Sequence, residues 1–255
     1  MNPKNYEYRF EIKPGKYVYL PTDEARILGE KIREEVLDAW TPDAVFFHLS
    51  KVGGHVAAMR YHKNGLFFAG TDVKNFFGCV TRSKIARALI KIGFSARAAF
   101  EMASASVVAI DGRKFLPYGF IQSMVLATLV LEKSNLGLAL RTLADSDTKV
   151  SVFVDDITLS AGDSESLVRG LGELRDAAVV ANFVLCSKDG GAVGNKVHAF
   201  NCSVSRNHIE LLPDRVSRFE QQYLDGNDPA KAAIVRYIRA INELQADEFI
   251  VSVTS

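Results

Sequence analysis

The first forty residues show two changes in the pattern of apolar and polar positions. Residues 8–12 and 17–20 are strand-like runs on either side of Pro14-Gly15, which predicts a β-hairpin. Apolar residues then recur at steps of three and four, the spacing of an amphipathic helix. That stripe consists of Ala25, Leu28, Ile32, Val36 and Trp40. A tight turn is predicted after the helix, where two glycines lie between His48 and His55.

The central part of the chain predicts one buried strand followed by helices. The apolar run 66–69 is typical of a buried strand, and Asp72 lies just after it. Helices are predicted from Ser83 to Gly93 and over 95–108, and a long apolar helix is predicted after Gly119.

Alternation returns at 149–154 and continues in 157–160, which predicts a hairpin with Asp155-Asp156 at its tip. A helix capped by Ser164 is predicted next. A strand at 197–200 and a hairpin near Arg206-Asn207 follow. The remainder is predicted to be helical, with Asp228-Pro229 as cap and first turn. Its inner stripe is predicted to be Val235, Ile238, Ile241 and Leu244.

This order of elements predicts an α+β fold. Strand, helices, hairpin, helix and strand together form a split βαβ (ferredoxin-like) antiparallel sheet with helices on one face. In that sheet the end of the first strand meets the tip of the hairpin. We therefore expect Asp72 to lie beside Asp155 and Asp156.

Composition adds limits on the class of protein. The 255 residues are 48% hydrophobic and 24% charged, as in ordinary globular proteins, and suffice for one compact unit or two small ones. The net charge of +1 does not indicate nucleic-acid binding by the protein as a whole, although it is compatible with a local basic groove. One helix carries a basic run, which we interpret as a solvated helix face. The run is Arg82, Lys84, Arg87 and Lys91.

The sequence predicts no membrane insertion, no disulfide framework and no zinc site. The first residues are polar, and the apolar stretch 120–131 is shorter than a spanning helix requires. Three cysteines have no paired spacing. His48, His55 and His62 follow no zinc pattern and are interpreted as structural histidines. These features predict a soluble, cytoplasmic protein without a membrane partner.

The aspartates carry the candidate chemistry. Adjacent carboxylates repel each other, and turn aspartates are often simply solvated turn formers. Here, however, the flanking residues are apolar and a third carboxylate ends another hydrophobic strand. A hard cation such as Mg²⁺ takes oxygen ligands and offsets the repulsion. Two such ions about 4 Å apart suit nucleotidyl transfer, because they activate an attacking hydroxyl and stabilise the leaving pyrophosphate.

Five segments resemble the motifs of reverse transcriptases, in the family's order, over about residues 45–205. Phe153-Val154-Asp155-Asp156 resembles the Tyr/Phe-x-Asp-Asp signature, and 71–77 resembles the first palm motif. Residues 116–123 resemble the Leu-Pro-x-Gly motif, Ser187-Lys188 the lysine-bearing motif, and 199–201 the segment after it. Three features are most similar to bacterial defence-associated enzymes related to retron and abortive-infection reverse transcriptases: the variant Leu-Pro-Tyr-Gly-Phe, Gly53-Gly54-His55 and Phe200-Asn201.

The resemblance implies a right-hand polymerase with its parts in series. Residues 1–65 would form a fingers-like region, 66–205 the palm, and 206–255 a short helical thumb-like region. Two Mg²⁺ ions, with Mn²⁺ as a substitute, would be held by Asp72, Asp155, the weaker ligand Asp156 and the carbonyl of Val73.

The resemblance also implies a set of nucleotide contacts. Phe77 would be the steric gate that excludes a 2′-hydroxyl, with plain core packing as the alternative. Lys188 would neutralise pyrophosphate charge, and Arg60 and Lys63 would grip the triphosphate; surface positions are the alternative for all three. Tyr118, Gly119 and Gln122 would lie beneath the incoming nucleotide. Tyr118 departs from the family, since glutamine is common there.

The implied function is RNA-directed DNA synthesis in antiphage defence. Its partners would be deoxynucleoside triphosphates, an RNA template, a DNA product and a structured non-coding RNA, with a homo-oligomer possible. The short thumb predicts low processivity without that RNA. One alternative is template-independent or protein-primed synthesis at the same site. Another is a catalytically silent RNA-binding scaffold. A nucleotide cyclase is disfavoured, because its Gly-Gly-acidic-acidic-Phe turn is absent.

Overall fold

A computed structural model describes residues 4–50, 52–187 and 192–254. The strands are β1 Tyr6–Lys13, β2 Lys16–Pro21, β3 Phe67–Val73, β4 Val108–Ile110, β5 Arg113–Phe115, β6 Lys149–Phe153, β7 Asp156–Ala161, β8 Leu185–Ser187, β9 Lys196–Ala199, β10 Cys202–Ser205 and β11 His208–Leu211. The helices are α1 Asp23–Ala39, α2 Phe47–Ser50, α3 Gly54–His62, α4 Phe76–Cys79, α5 Arg82–Lys91, α6 Ala96–Ala105, α7 Ser123–Glu132, α8 Asn135–Ala144, α9 Ser164–Val180, α10 Pro213–Asp225, α11 Asp228–Ile241 and α12 Glu243–Thr254. The chain is therefore a mixed α/β protein with antiparallel sheets.

The chain divides into two compact units, each assembled from separate segments. The first unit consists of Met1–Ser50, Val73–Thr142 and Glu173–Leu185. The second consists of Lys51–Asp72, Leu143–Gly172 and Cys186–Ser255.

The first unit is mainly helical. Its helix α1 begins where the hydroxyl of Thr22 accepts the amide of Ala25 at 3.2 Å, a standard N-cap. The predicted stripe buries Ile32 and Val36. Helix α7 is apolar on nearly all sides and is buried along almost its whole length. The predicted hairpin is confirmed, since β1 pairs antiparallel with β2.

The second unit is built around two sheets and the C-terminal helices. One sheet has the order β6-β7-β3-β8, in which β7 pairs antiparallel with both β6 and β3. The other has the order β11-β10-β9 and packs with α3, α10, α11 and α12. Buried residues of this core include Met59, Phe68, Phe219, Ile238 and Phe249.

Several predicted boundaries are wrong by a few residues, because caps and register depend on backbone geometry. Helix α5 begins at Arg82, since the hydroxyl of Thr81 rather than Ser83 accepts an amide. Helix α6 ends at Ala105 and is followed by a short strand.

The C-terminal helices also differ from the prediction. The cap of α9 is Asp163, whose carboxylate accepts the amide of Ser166 at 2.7 Å, and the cap of α11 is Asn227. Leu244 is 76% exposed and belongs to α12, so it is not part of the inner stripe.

Within the described ranges, no single helix has the length and apolar character needed to cross a membrane. Helices α7 and α8 meet that test only as a pair, and they are bent by 73° at the break between them.

Candidate active site

The register of the antiparallel sheet brings Asp72 and Asp156 together. Strand β3 pairs with β7 so that Thr71 faces Ile157 and Asp72 faces Asp156. Residues directly opposite on adjacent antiparallel strands have their Cα atoms about 4.5–5.5 Å apart and project to the same face. The predicted convergence of these two carboxylates is therefore confirmed at the level of strand pairing.

The hairpin tip differs from the prediction by one residue. Phe153 faces Asp156 across β6 and β7, so the two-residue turn is Val154-Asp155 and Asp156 already belongs to β7. Val154 has φ 64, a left-handed conformation that is uncommon for a β-branched residue. Such backbone strain costs about 1–3 kcal/mol and is concentrated at functional sites.

The three aspartates are more exposed than the strand residues beside them. Thr71, Val152 and Ile157 are buried, whereas Asp72, Asp155 and Asp156 are half-buried. Among the described residues, no group of three or more His, Cys, Asp or Glu side chains is arranged so that it could hold a metal ion. Mg²⁺ in nucleotide-handling sites is bound by one or two carboxylates together with substrate phosphates and water, so a pair of carboxylates provides ligands of the type this ion takes.

A buried histidine contacts both strands of the β6-β7 hairpin. His62, at the end of α3, is fully buried; its Nδ1 lies 2.8 Å from the hydroxyl of Ser160 and its Nε2 2.8 Å from that of Ser151. Burial, together with the charge of nearby Lys149, lowers the pKa of His62 to about 3. The ring is therefore neutral at pH 7 and has one donor and one acceptor nitrogen, which two hydroxyls can satisfy.

Aromatic rings surround Phe153, the residue that precedes the turn. Its ring centroid lies 6.0 Å from that of His55 and 5.1 Å from that of Phe200. The Nε2 of His55 lies 2.8 Å from the hydroxyl of Tyr237, and burial lowers the pKa of His55. Phe200 and Asn201 both have positive φ (55 and 62) in the two-residue turn between β9 and β10. That is the pattern of a type I′ turn, in which phenylalanine is unusual.

The structural interpretation of the three histidines agrees with these contacts. His48, in the first unit, lies with its Nε2 2.8 Å from the hydroxyl of Thr128. His55 and His62 have hydroxyl partners as described above.

The cations predicted to grip triphosphate are on the second unit. The guanidinium of Arg60 donates to the carbonyl of Ala240 at 2.6 Å, near the C-terminal end of α11. Its charge there complements the helix dipole. Lys63 is exposed, and its carbonyl accepts the amide of Asn207 at 2.6 Å. Lys188 lies outside the described residues.

The other predicted nucleotide contacts are on the first unit. Phe77 is 9% exposed, and its ring centroid lies 4.6 Å from that of Tyr118. Gly119 has φ +102, and a Cβ there would lie 2.3 Å from the carbonyl oxygen of Tyr19. The carbonyl of Tyr118 also accepts the amide of Tyr19 at 2.8 Å, so this loop is fixed against β2.

Two predicted residues of the first unit are buried. Gln122 is 1% exposed, and its amide donates to the hydroxyl of Ser106 at 3.4 Å. A Cβ added at Gly29 would lie 2.3 Å from the Oε1 of Gln122, so this side chain fills the space beside α1. The side chain of Val73 is also buried.

Sequence reasoning missed the polar pair behind the hairpin. Ser151 and Ser160 occupy strand positions that are 2% and 1% exposed, where apolar residues are usual. A buried hydroxyl requires a partner, so two serines in otherwise apolar strands were the available signal. The partner, His62, lies 89 and 98 positions away along the chain.

Comparison with known proteins identifies the fold but no family. No protein-family model matches the chain, and no curated protein is significantly similar to it in sequence. The RNA-dependent RNA polymerase of BmCPV at elongation state is similar in structure, with a TM-score of 0.58 and 11% identity over 87% of this chain and 24% of that chain. The RNA polymerase complex inside a dsRNA virus gives a TM-score of 0.56 and 11% identity over 85% and 23% of the two chains.

A foamy viral protease-reverse transcriptase in complex with ds DNA is also similar, at 13% identity over 89% of this chain and 34% of that chain. Its TM-score of 0.48 is too low to carry an argument. The chain spans about a quarter to a third of the length of these structures. The comparisons therefore show that this chain has a polymerase-like fold.

Proposed function

We propose that this chain is the catalytic region of a reverse transcriptase that uses Asp72, Asp155 and Asp156 for nucleotidyl transfer. The observation that carries the proposal is the register that places Asp72 opposite Asp156, with Asp155 in the adjoining turn. Facing positions on paired strands give two half-buried carboxylates that can bind the same divalent cation, and oxygen ligands are the type that Mg²⁺ prefers.

The proposed ion is Mg²⁺, with Mn²⁺ as a substitute, held in two positions by Asp72 and Asp155, with Asp156 as a weaker ligand and the carbonyl of Val73 as a further one. Bound there, the ions supply a Lewis acid that lowers the pKa of the attacking 3′-hydroxyl and neutralises the leaving pyrophosphate. The protein itself fixes the carboxylates. Register sets the separation of Asp72 and Asp156, and His62 links α3 to both hairpin strands.

The strand order supports the palm assignment. The four strands of this sheet occur along the chain as β3, β6, β7 and β8. Helices and the separate β4-β5 hairpin lie between β3 and β6, and α9 lies between β7 and β8. In the sheet the order is β6-β7-β3-β8. This is the arrangement expected of a split βαβ (ferredoxin-like) sheet. We assign it as the palm, with residues 1–65 as a fingers-like region and 206–255 as a short thumb-like region.

Phe77 supports deoxynucleotides as the substrate. An aromatic ring five residues after the first metal-binding aspartate would exclude a 2′-hydroxyl, and the ring of Phe77 is fixed against Tyr118. The competing function is RNA-dependent RNA synthesis, because the viral RNA polymerases named above share the fold with TM-scores above 0.5.

We further propose that the template is RNA, that a structured non-coding RNA assists synthesis, and that the reaction serves antiphage defence in the cytoplasm. Lys188, Arg60, Lys63, Gly119 and Gln122 remain candidate nucleotide contacts. The defence role and the non-coding RNA rest on the sequence resemblance.

Sugar selection and template use test the proposal. On a defined primer and RNA template, the wild type should incorporate deoxynucleotides in preference to ribonucleotides. Phe77→Ala should raise relative ribonucleotide incorporation by about tenfold, which corresponds to about 1.4 kcal/mol of lost discrimination. Phe46→Ala provides a matched control, since Phe46 is another buried phenylalanine of the first unit and belongs to none of the predicted nucleotide contacts. Preference for ribonucleotides by the wild type would favour the RNA polymerase, and homopolymer products would favour untemplated synthesis.

A further inference from the structure

The first unit contains a positively charged cleft formed by α5, the junction of α7 and α8, and residues 180–183. Its volume is about 250 Å³. Four cationic side chains line it, and no aspartate or glutamate is among the described lining residues. The four are Lys84, Arg87, Lys91 and Lys133. We call this the α5 cleft.

Two ammonium groups in the α5 cleft are held in place by backbone carbonyls. The Nζ of Lys84 donates to the carbonyl of Asn182 at 2.9 Å and lies 4.0 Å from the ring centroid of Phe183. The Nζ of Lys91 donates to the carbonyl of Lys133 at 2.7 Å. Each ammonium has three N–H groups, so each keeps two for a ligand.

Positive charge in the α5 cleft is only partly neutralised. Lys133 pairs with Glu132 at 3.0 Å. Among the described residues Lys84, Arg87 and Lys91 form no ion pair, and partial burial together with Arg87 lowers the pKa of Lys84. Three like charges on one cleft wall repel each other, and a bound polyanion would relieve that repulsion.

The spacing of these cations matches a linear polyanion. Positions 84, 87 and 91 lie on one face of α5, and the helical rise places the first and last about 10.5 Å apart along the axis. In a duplex each strand carries one phosphate charge per about 3.4 Å of helix axis, so this length of α5 corresponds to about three phosphates of one strand.

We propose that the α5 cleft binds the phosphodiester backbone of a nucleic-acid strand through Lys84, Arg87 and Lys91. This binding is additional to the chemistry proposed for the carboxylates, and it does not require that chemistry. Cations that contact phosphates position a strand without reading its sequence, so the α5 cleft should bind in a sequence-independent way.

Salt-dependent binding of the full-length protein tests the proposal. Labelled single-stranded RNA and DNA of the same sequence are titrated by fluorescence anisotropy between about 50 and 200 mM salt, without nucleotides or Mg²⁺. The triple variant Lys84→Gln/Arg87→Gln/Lys91→Gln should reduce the slope of log affinity against log salt by about 2 and the affinity by about 100-fold at 0.1 M salt. Because no synthesis occurs, the result does not depend on whether the chain is a polymerase.

A matched variant controls for net charge. Lys31→Gln/Arg33→Gln/Arg97→Gln removes three exposed cations from α1 and α6 of the same unit and should change the affinity by less than about twofold. Lys84 is half-buried, so Arg87→Gln/Lys91→Gln serves as a second variant that leaves it in place, with an expected loss of about 25-fold. Lys84→Arg/Lys91→Arg should retain wild-type affinity.

Equal losses in the two triple variants, or no loss in either, would overturn the proposal. A loss for both RNA and DNA supports backbone binding, and a loss for RNA alone supports it with additional 2′-hydroxyl contacts. Polyglutamate that binds as tightly as RNA, with the same dependence on the three cations, would overturn it in favour of an acidic protein partner.

Discussion

His62 makes the stability of the second unit depend on pH in a way that can be calculated. Its pKa is about 3 in the folded protein, against 6.5 for a free histidine. The folded state therefore excludes a proton that the unfolded chain binds below pH 6.5. The stabilisation is complete above that pH and is lost as the pH falls towards 3. Between pH 7 and pH 5 the loss attributable to His62 is about 2 kcal/mol.

The comparison of wild type with His62→Gln isolates this effect. Glutamine does not titrate, whereas the remaining histidines and carboxylates are common to both proteins. Urea unfolding followed by circular dichroism should show that the wild type loses about 2 kcal/mol more than His62→Gln between pH 7 and pH 5. Equal losses in the two proteins would refute the burial of a neutral histidine between Ser151 and Ser160.

The hydroxyl partners give a second measure of the same arrangement. His62→Leu leaves two buried hydroxyls without the partner they have in the wild type, at about 1–3 kcal/mol each. Replacing both serines with alanine in the His62→Leu background should therefore recover roughly 2–6 kcal/mol of unfolding free energy. A triple variant no more stable than His62→Leu would show that the hydroxyls do not depend on the ring.

Two further substitutions test the first unit. Gly119→Ala should destabilise the protein by at least about 2 kcal/mol more than Gly93→Ala in urea unfolding. Both glycines have nearly equal φ (102 and 104), but only Gly119 lies against the carbonyl of Tyr19. Equal effects of the two substitutions would contradict that close approach. Glu132→Leu should lower the free energy of unfolding by roughly 2–4 kcal/mol, because its carboxylate accepts the indole N–H of Trp40 at 2.9 Å and the backbone amide of Asp43 at 2.9 Å. Unfolding is followed by the fluorescence of the single tryptophan. An unchanged unfolding midpoint and an unchanged emission spectrum would contradict this role of Glu132.

Local periodicity predicted the elements that have strong patterns. The stripe that includes Ile32 and Val36 predicted α1, and alternation predicted β6 and β7, because burial of one face imposes these spacings. Helix α3 was missed, since it is only 9 residues long and begins with a glycine in the left-handed region. Short helices depend on tertiary packing more than on their own sequence.

The site was predictable in part for a similar reason. Asp72 lies near the end of β3 and Asp156 begins β7, so their meeting at one end of the paired strands follows from the predicted topology. The identity of the two turn residues could not be predicted in this way, because a one-residue change in register moves Asp156 from the turn to the strand. The left-handed backbone conformation of Val154 could not be predicted either, since valine ordinarily adopts negative φ.

The basic run on α5 shows how the same residues support two interpretations. Arg87 and Lys91 are exposed, as predicted for a solvated helix face. Lys84 differs, because a carbonyl and an aromatic ring from the segment after α9 hold its ammonium group in the cleft. That contact joins residues 98 positions apart and has no counterpart in the local pattern.

Metal-dependent DNA synthesis by wild type and Asp155→Asn, on one RNA template with Mg²⁺, tests the central claim most directly. Asp147→Asn, which changes an exposed aspartate of the same unit, is the matched control. The proposal predicts a product complementary to the template from the wild type and from Asp147→Asn, and a rate lower by on the order of 1,000-fold in Asp155→Asn, since loss of a metal ligand removes several kcal/mol of transition-state stabilisation. Equal synthesis by all three proteins, or none by any of them across several primers and templates, would contradict it.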